Sequence, residues 1–156
     1  MTTIGLISDT HGLLRPGIAA IFTGVSRILH AGDVGGPSIL TALSAVAPVE
    51  AVAGNVDDPF DPMLAAERTI AVGGLTIRVS HGHELGSPTA EKLFAKHTED
   101  VLVFGHTHKA VVVRDRSGRL AVNPGAAGPR RFALKPSVAL LRIERGRAEV
   151  EIIWLE

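Results

Sequence analysis

The chain has 156 residues, 46% of them hydrophobic, enough to bury an ordinary core, and the expectation is one domain over residues 1–156. Its 16 basic and 16 acidic side chains cancel to zero net charge, so there is no overall field to gather nucleic acid or an anionic membrane, and any anion must be captured locally. Cysteine is absent, which excludes disulfides and thiolate metal ligands.

Residues 4–8 form a short apolar run that stops at Asp9-Thr10-His11-Gly12, reading as a buried strand that delivers polar residues to its C-terminal end. The first eight residues lack a basic segment and reach Asp9 before a signal-type apolar stretch could finish. No run of about 18 apolar residues follows either. The expectation is therefore a cytoplasmic protein without a membrane span. Residues 16–22 read as a helix with Pro16 near its first turn, and residues 26–30 as a strand ending in Ala31-Gly32-Asp33. A second helix is expected over 37–46 and a third strand over 49–52, closing in Ala53-Gly54-Asn55.

The segment from Asp57 to Pro62 is too rich in proline and acid for a strand and reads as a surface loop. Residues 69–72 and 75–79 flank Gly73-Gly74, a dipeptide suited to a tight hairpin turn, and the second strand runs into Ser80-His81-Gly82-His83. A helix over 87–97 with Pro88 at its start precedes a buried strand over 101–104, which ends in Gly105-His106-Thr107-His108. Alternation and turn signals then predict antiparallel strands at 110–114, 120–123, 138–144 and 148–154. This succession predicts an α/β fold of two packed mixed β-sheets flanked by helices, a four-layer α-β-β-α sandwich.

Five segments thus end an apolar run with a ligand-type residue beside glycine: Asp9 and His11, Asp33, Asn55, His81 with His83, and His106 with His108. Ligands bind at the carboxyl ends of strands in open α/β sheets, so these segments are expected to meet on one rim. Residues two apart in an extended segment point to the same side, so Asp9 and His11 can face one metal, and His106 and His108 share that relation. Several unpaired ionisable groups buried together would cost several kcal/mol unless cations compensated them.

The ordered set Asp9-x-His11, Gly32-Asp33, Gly54-Asn55, His81-Gly82 and Gly105-His106-x-His108 resembles the metallophosphoesterase, or calcineurin-like, superfamily over nearly the whole chain. Compact size and short motif spacing are similar to its small bacterial and archaeal phosphodiesterase branch. The resemblance implies that Asp9, His11 and His108 bind one divalent ion, that Asn55, His81 and His106 bind a second, and that Asp33 bridges them. Nitrogen and oxygen ligands without sulfur suit manganese, iron, zinc or nickel, and the donor set does not rank them; manganese is the expected ion, with zinc, iron or nickel as alternatives. Two such ions, two carboxylates and a bridging hydroxide leave a positive centre, and attack of that hydroxide on a phosphodiester is the expected reaction. Asp33, Asn55 and His83 are the residues expected to take part in it.

Many relatives carry histidine directly after the motif asparagine, where this chain has Val56. Valine cannot donate a proton, which favours substrates whose leaving group needs little protonation. His83 either replaces that acid or makes a structural hydrogen bond. His30 is expected to pack behind the site, and Asp57 either hydrogen-bonds near it or is a solvated loop acid. Arg130 and Arg131 either meet a substrate phosphate or form a solvated basic loop. His97 is expected to supply charge at a helix C-terminus, and Trp154 to be core or interface. Asn123-Pro124-Gly125 resembles a late family motif, except that Ala126 stands where serine usually follows. The expected partner is a small phosphoester, without a dedicated nucleic-acid surface or membrane, in a homo-oligomer. The alternatives are an interaction scaffold of the same fold with weak or lost chemistry, or a phosphomonoesterase or nuclease.

Overall fold

The computed structural model describes residues 1–131 and 133–155. Among the described residues eleven strands and three helices run in the order β1 (Thr2–Ile7), α1 (Ile18–Ile21), β2 (Arg27–His30), α2 (Pro37–Ser44), β3 (Val49–Val52), β4 (Leu64–Ala65), β5 (Glu67–Val72), β6 (Leu75–Ser80), α3 (Ala90–Lys96), β7 (Val101–Val103), β8 (Val111–Arg114), β9 (Leu120–Asn123), β10 (Ser137–Glu144) and β11 (Arg147–Trp154). A single 3-10 turn, His83–Leu85, lies between β6 and α3. Among the described residues no helix is long and apolar enough to cross a membrane.

The strands form two mixed sheets, one ordered β11-β10-β1-β2-β3-β4 and the other β5-β6-β7-β9-β8. Alternation along each strand explains how they stack, because successive side chains face opposite sides. In β1, Ile4 and Leu6 point between the sheets with Leu29, Val52, Val79, Val101, Val103 and Val122. Ile7 and Ile28 point outward, where Ile18, Phe22, Ile39 and Leu43 of the α1 and α2 region cover them. On the far sheet Leu102, Phe104 and Ala121 face outward under Leu93 of α3. The layers are therefore helix, sheet, sheet, helix, as the sequence predicts.

Several elements differ from expectation at their ends. The first helix keeps only Ile18–Ile21, because Gly17 stands at its N-cap in the left-handed region at φ 95°. The third begins at Ala90 and not at 87, capped by the Thr89 hydroxyl, which accepts from the Lys92 N–H at 3.2 Å. The two-residue β4 is too short to show a period and was not expected. The C-terminal strands also do not form one antiparallel group. β9 lies parallel to β7, and β8 pairs with β9 at the edge of the second sheet, while β10 pairs antiparallel with β1 in the first.

Within each sheet the strands that end in ligand-type residues are parallel to one another: β1, β2 and β3 in one, β6 and β7 in the other. Their carboxyl ends therefore reach a common rim. The rim is closely packed. A Cβ on Gly54 would run into the Asp33 carboxylate, within the first sheet's own rim, and one on Gly105 into the Ser8 hydroxyl of the other sheet, so both approaches require glycine.

Candidate metal centre

Each strand end breaks its extended backbone just where a ligand-type residue stands. Asp9, His11, Asp33, His106 and His108 all have positive φ, between 45° and 74°, and among the described non-glycine residues only Arg145 shares that feature. Aspartate and histidine tolerate the left-handed region better than most residues, yet five together at one rim mark a place where packing overrides local preference. The extended-strand argument for the residue pairs therefore does not describe the backbone. Asp9 and His11 do fall in one group, but His106 and His108 separate into two.

The first group is Asp9, His11 and His108, and the second is Asp33, His81 and His106, each with its ligand-type atoms within 4.8 Å of one another. Asp9 Oδ1 lies 3.3 Å from His108 Nε2 and 3.7 Å from His11 Nε2. Asp33 Oδ2 lies 3.2 Å from His81 Nε2 in its own group and 3.6 Å from His11 Nε2 in the other. Asn55 Oδ1 joins the second group, 3.1 Å from both His81 Nε2 and His106 Nδ1. All seven predicted ligand positions thus converge; Asp33 faces both groups, and Asp9 Oδ1 also comes within 3.9 Å of His81 Nε2.

The surroundings leave specific atoms free to point inward. Asp9 Oδ2 accepts from the Ser8 hydroxyl at 2.6 Å and from the His106 N–H at 3.2 Å, while its Oδ1 is buried with no aligned donor. Asp33 Oδ1 accepts from the Val56 N–H at 3.0 Å, which leaves Oδ2 for the centre. His81 Nδ1 donates to the Ala31 carbonyl at 2.8 Å, which turns Nε2 towards Asn55 and Asp33. His11 Nε2 is also buried without a hydrogen-bond partner. Buried polar atoms are seldom left unpaired, and unpaired oxygen and nitrogen aimed at one point make a donor set that fits divalent cations.

The charges agree with this geometry. Burial works to raise the Asp9 pKa, but His108, His11, His81 and Ser8 outweigh it and hold the carboxylate well below its ordinary range. Burial also opposes ionisation of Asp33, and the His81 hydrogen bond and the Val56 N–H again prevail, lowering its pKa. For His81 burial disfavours the charged ring, yet Asp33 and Asp9 raise its pKa, whereas burial and then His81 itself depress that of His106. Both acids are therefore anionic at neutral pH, as metal ligands must be.

Behind the ligands stand residues whose positions the sequence left open. His30 is wholly buried: its Nδ1 accepts from the Gly32 N–H at 3.1 Å, so its Nε2–H donates to the Thr10 hydroxyl at 3.0 Å, which donates on to the Val34 carbonyl at 2.7 Å. Asp57 is not a solvated loop acid, since its carboxylate accepts from the N–H groups of Val34, Gly35 and Gly54. Asn123 donates to the Gly105 carbonyl and the Thr107 hydroxyl and so holds the 105–108 loop, a role that its place in the late motif hinted at. Thr10 and Ser8 carry no mark in the sequence beyond their position flanking Asp9.

Other expected residues lie further off or behave differently. His83 is exposed, its ring centroid 5.5 Å from that of His81 and 6.3 Å from that of His106. Val56 lies on the rim, 59% exposed. Arg130 and Arg131 are exposed on the loop before β10. His97 is no helix-end charge: burial and then Arg78 depress its pKa, and its Nε2 is buried without a partner. Trp154 is not core, being 54% exposed.

Comparison with known proteins places this geometry among relatives. The profile of the calcineurin-like phosphoesterase superfamily domain matches residues 2–146. A probable metallophosphoesterase of Methanothermobacter thermautotrophicus is 34% identical over 158 residues, which cover 96% of this chain and 91% of that protein. Among solved structures, wild-type Vps29 of Entamoeba histolytica complexed with zinc superposes with a TM-score of 0.79 at 24% identity, covering 98% of this chain and 99% of the other. A novel archaeal phosphodiesterase superposes with a TM-score of 0.77 at 22% identity, covering 97% and 100%.

Proposed function

This chain belongs to the calcineurin-like phosphoesterase superfamily, and from that premise we propose that it is a dinuclear metal-dependent phosphodiesterase acting on small activated phosphoesters. The observation that carries the proposal is the convergence of two ligand groups on the Asp33 carboxylate, with Asp9 Oδ1 and His11 Nε2 buried and unpaired between them. In this reading Asp9, His11 and His108 hold one ion, Asn55, His81 and His106 the other, and Asp33 both. Manganese is the first candidate. When bound, two such ions polarise phosphoryl oxygens and lower the pKa of water enough to supply a nucleophile near neutral pH.

The protein's own part is orientation. Ser8 and the His106 N–H turn the Asp9 carboxylate, and Ala31 selects the His81 tautomer, so no ligand has to reorganise when phosphate charge arrives. Val56 offers no proton to a departing oxygen, which favours aryl diesters over alkyl monoesters. His83, exposed beside the second group, is the nearest histidine able to help a leaving group. Arg130 and Arg131, exposed and on a separate loop, could meet an outlying phosphate.

The test is hydrolysis of bis(p-nitrophenyl) phosphate with and without manganese. Wild type should turn over only with metal, and Asp33→Ala should lose about 10² to 10³ of the rate through loss of the shared ligand and its electrostatics. Metal-dependent turnover that survives in Asp33→Ala removes the proposal.

A further inference from the structure

Two of the clefts beside the candidate metal centre differ in the charge of their lining. One, about 550 Å³, runs past Val56, Leu40 and Met63 but also carries Asp57, Asp58 and Asp61. The other, about 430 Å³, includes His108 in its lining and continues along Lys109, Ala110, Leu134 and Lys135 to the indole of Trp154. Among the described residues that line it none is acidic. Neither lysine ammonium has an ion-pair partner among the described residues, and both residues are exposed. An exposed tryptophan is a flat apolar surface suited to stacking against a ring, and free ammonium groups beside it attract negative charge.

We propose that the cleft between His108 and Trp154 is a specificity subsite for an aromatic ester substituent that bears its own negative charge, stacked on Trp154 and met by Lys109 and Lys135. The inference rests on the phosphoesterase reading above for what lies at the metal centre. A substituent of that kind is repelled by Asp58 and Asp61 of the other cleft, so charge favours the His108 side. One ring platform and two lysines suit a nucleotide-sized group and not a polymer, which needs a longer run of such contacts.

Trp154 is the chain's one tryptophan, so its emission reports on this cleft directly. The full chain, treated with chelator so that phosphate has no metal to bind, is titrated with adenosine 5′-monophosphate, with adenosine and with ribose 5-phosphate. Saturable quenching is expected with the monophosphate, at least fivefold weaker binding with adenosine, and none with ribose 5-phosphate. Lys135→Glu should weaken the monophosphate at least fivefold and leave adenosine as it was. The ring contact alone is tested in manganese-loaded protein with a substrate whose substituent is uncharged: the ratio of kcat/KM for p-nitrophenyl thymidine 5′-phosphate to that for methyl p-nitrophenyl phosphate should fall about tenfold in Trp154→Ala and return in Trp154→Phe. Absence of quenching, equal binding of adenosine, or a monophosphate affinity untouched by Lys135→Glu overturns the subsite. Failure to hydrolyse either ester counts against the phosphoesterase reading instead, and the fluorescence titration then decides the subsite alone.

Discussion

Asp57 touches none of the ligand nitrogens, yet its carboxylate ties down two of the loops that carry ligands. Its oxygens accept from Val34 at 3.0 and 3.1 Å, from Gly35 at 3.2 Å and from Gly54 at 2.9 Å, so the backbones next to Asp33 and Asn55 share one anchor. Asparagine has about the same shape but replaces one acceptor oxygen with a donor, which cannot meet these N–H groups. Asp57→Asn should weaken manganese binding 10- to 100-fold, the usual cost of losing a group that orients ligands, as read by calorimetric titration. An unchanged affinity would mean that the loops hold themselves. Val56 is the complementary case, a residue whose chemistry was legible from its type and place alone. Its backbone N–H, which holds Asp33 Oδ1, was not.

Among elements, β1 and β2 are joined at their ends by more than their ladder. The chain from Gly32 through His30 and Thr10 to Val34 crosses between the two strand ends and needs a neutral imidazole, because Nδ1 must accept. Burial pushes the His30 pKa down to about 4 from an ordinary 6.5. With the folded pKa below the unfolded one, the unfolded chain takes up the proton first as pH falls, so this group's stability is intact above 6.5 and drains away towards 4. The loss by pH 4 is on the order of 3 kcal/mol. A His30→Gln variant should have a flatter Tm-against-pH curve between those limits than wild type. Parallel slopes in the two proteins would show that another group governs acid stability.

At the scale of the molecule, the two sheets bring their carboxyl ends together with a rim of carboxylates and histidines between them, and cations bound there would bridge loops from both sheets. Ligands that bind only the folded state stabilise it, by about 2.7 kcal/mol at one hundred times Kd. For a chain of this size that corresponds to roughly 5–10 °C in Tm. Manganese should therefore raise the Tm of wild type and not that of Asp33→Ala, measured by scanning calorimetry; a metal-independent Tm would argue that the rim is stable without cations.

The sequence by itself determined which side chains stand at the rim, because each lies where an apolar strand stops beside a glycine, and the hydrophobic alternation that predicts two sheets is a local property. It also showed the departure at Val56. The family resemblance already divides His106 and His108 between the groups; what tertiary structure decided is the left-handed backbone that does it, which packing imposes and their spacing does not encode. It decided that β10 joins β1 in one sheet while β9 joins β7 in the other, and that Trp154 faces a cleft and not the core. Those outcomes depend on which surfaces meet across long stretches of chain, and local residue preference carries no record of a partner so far away.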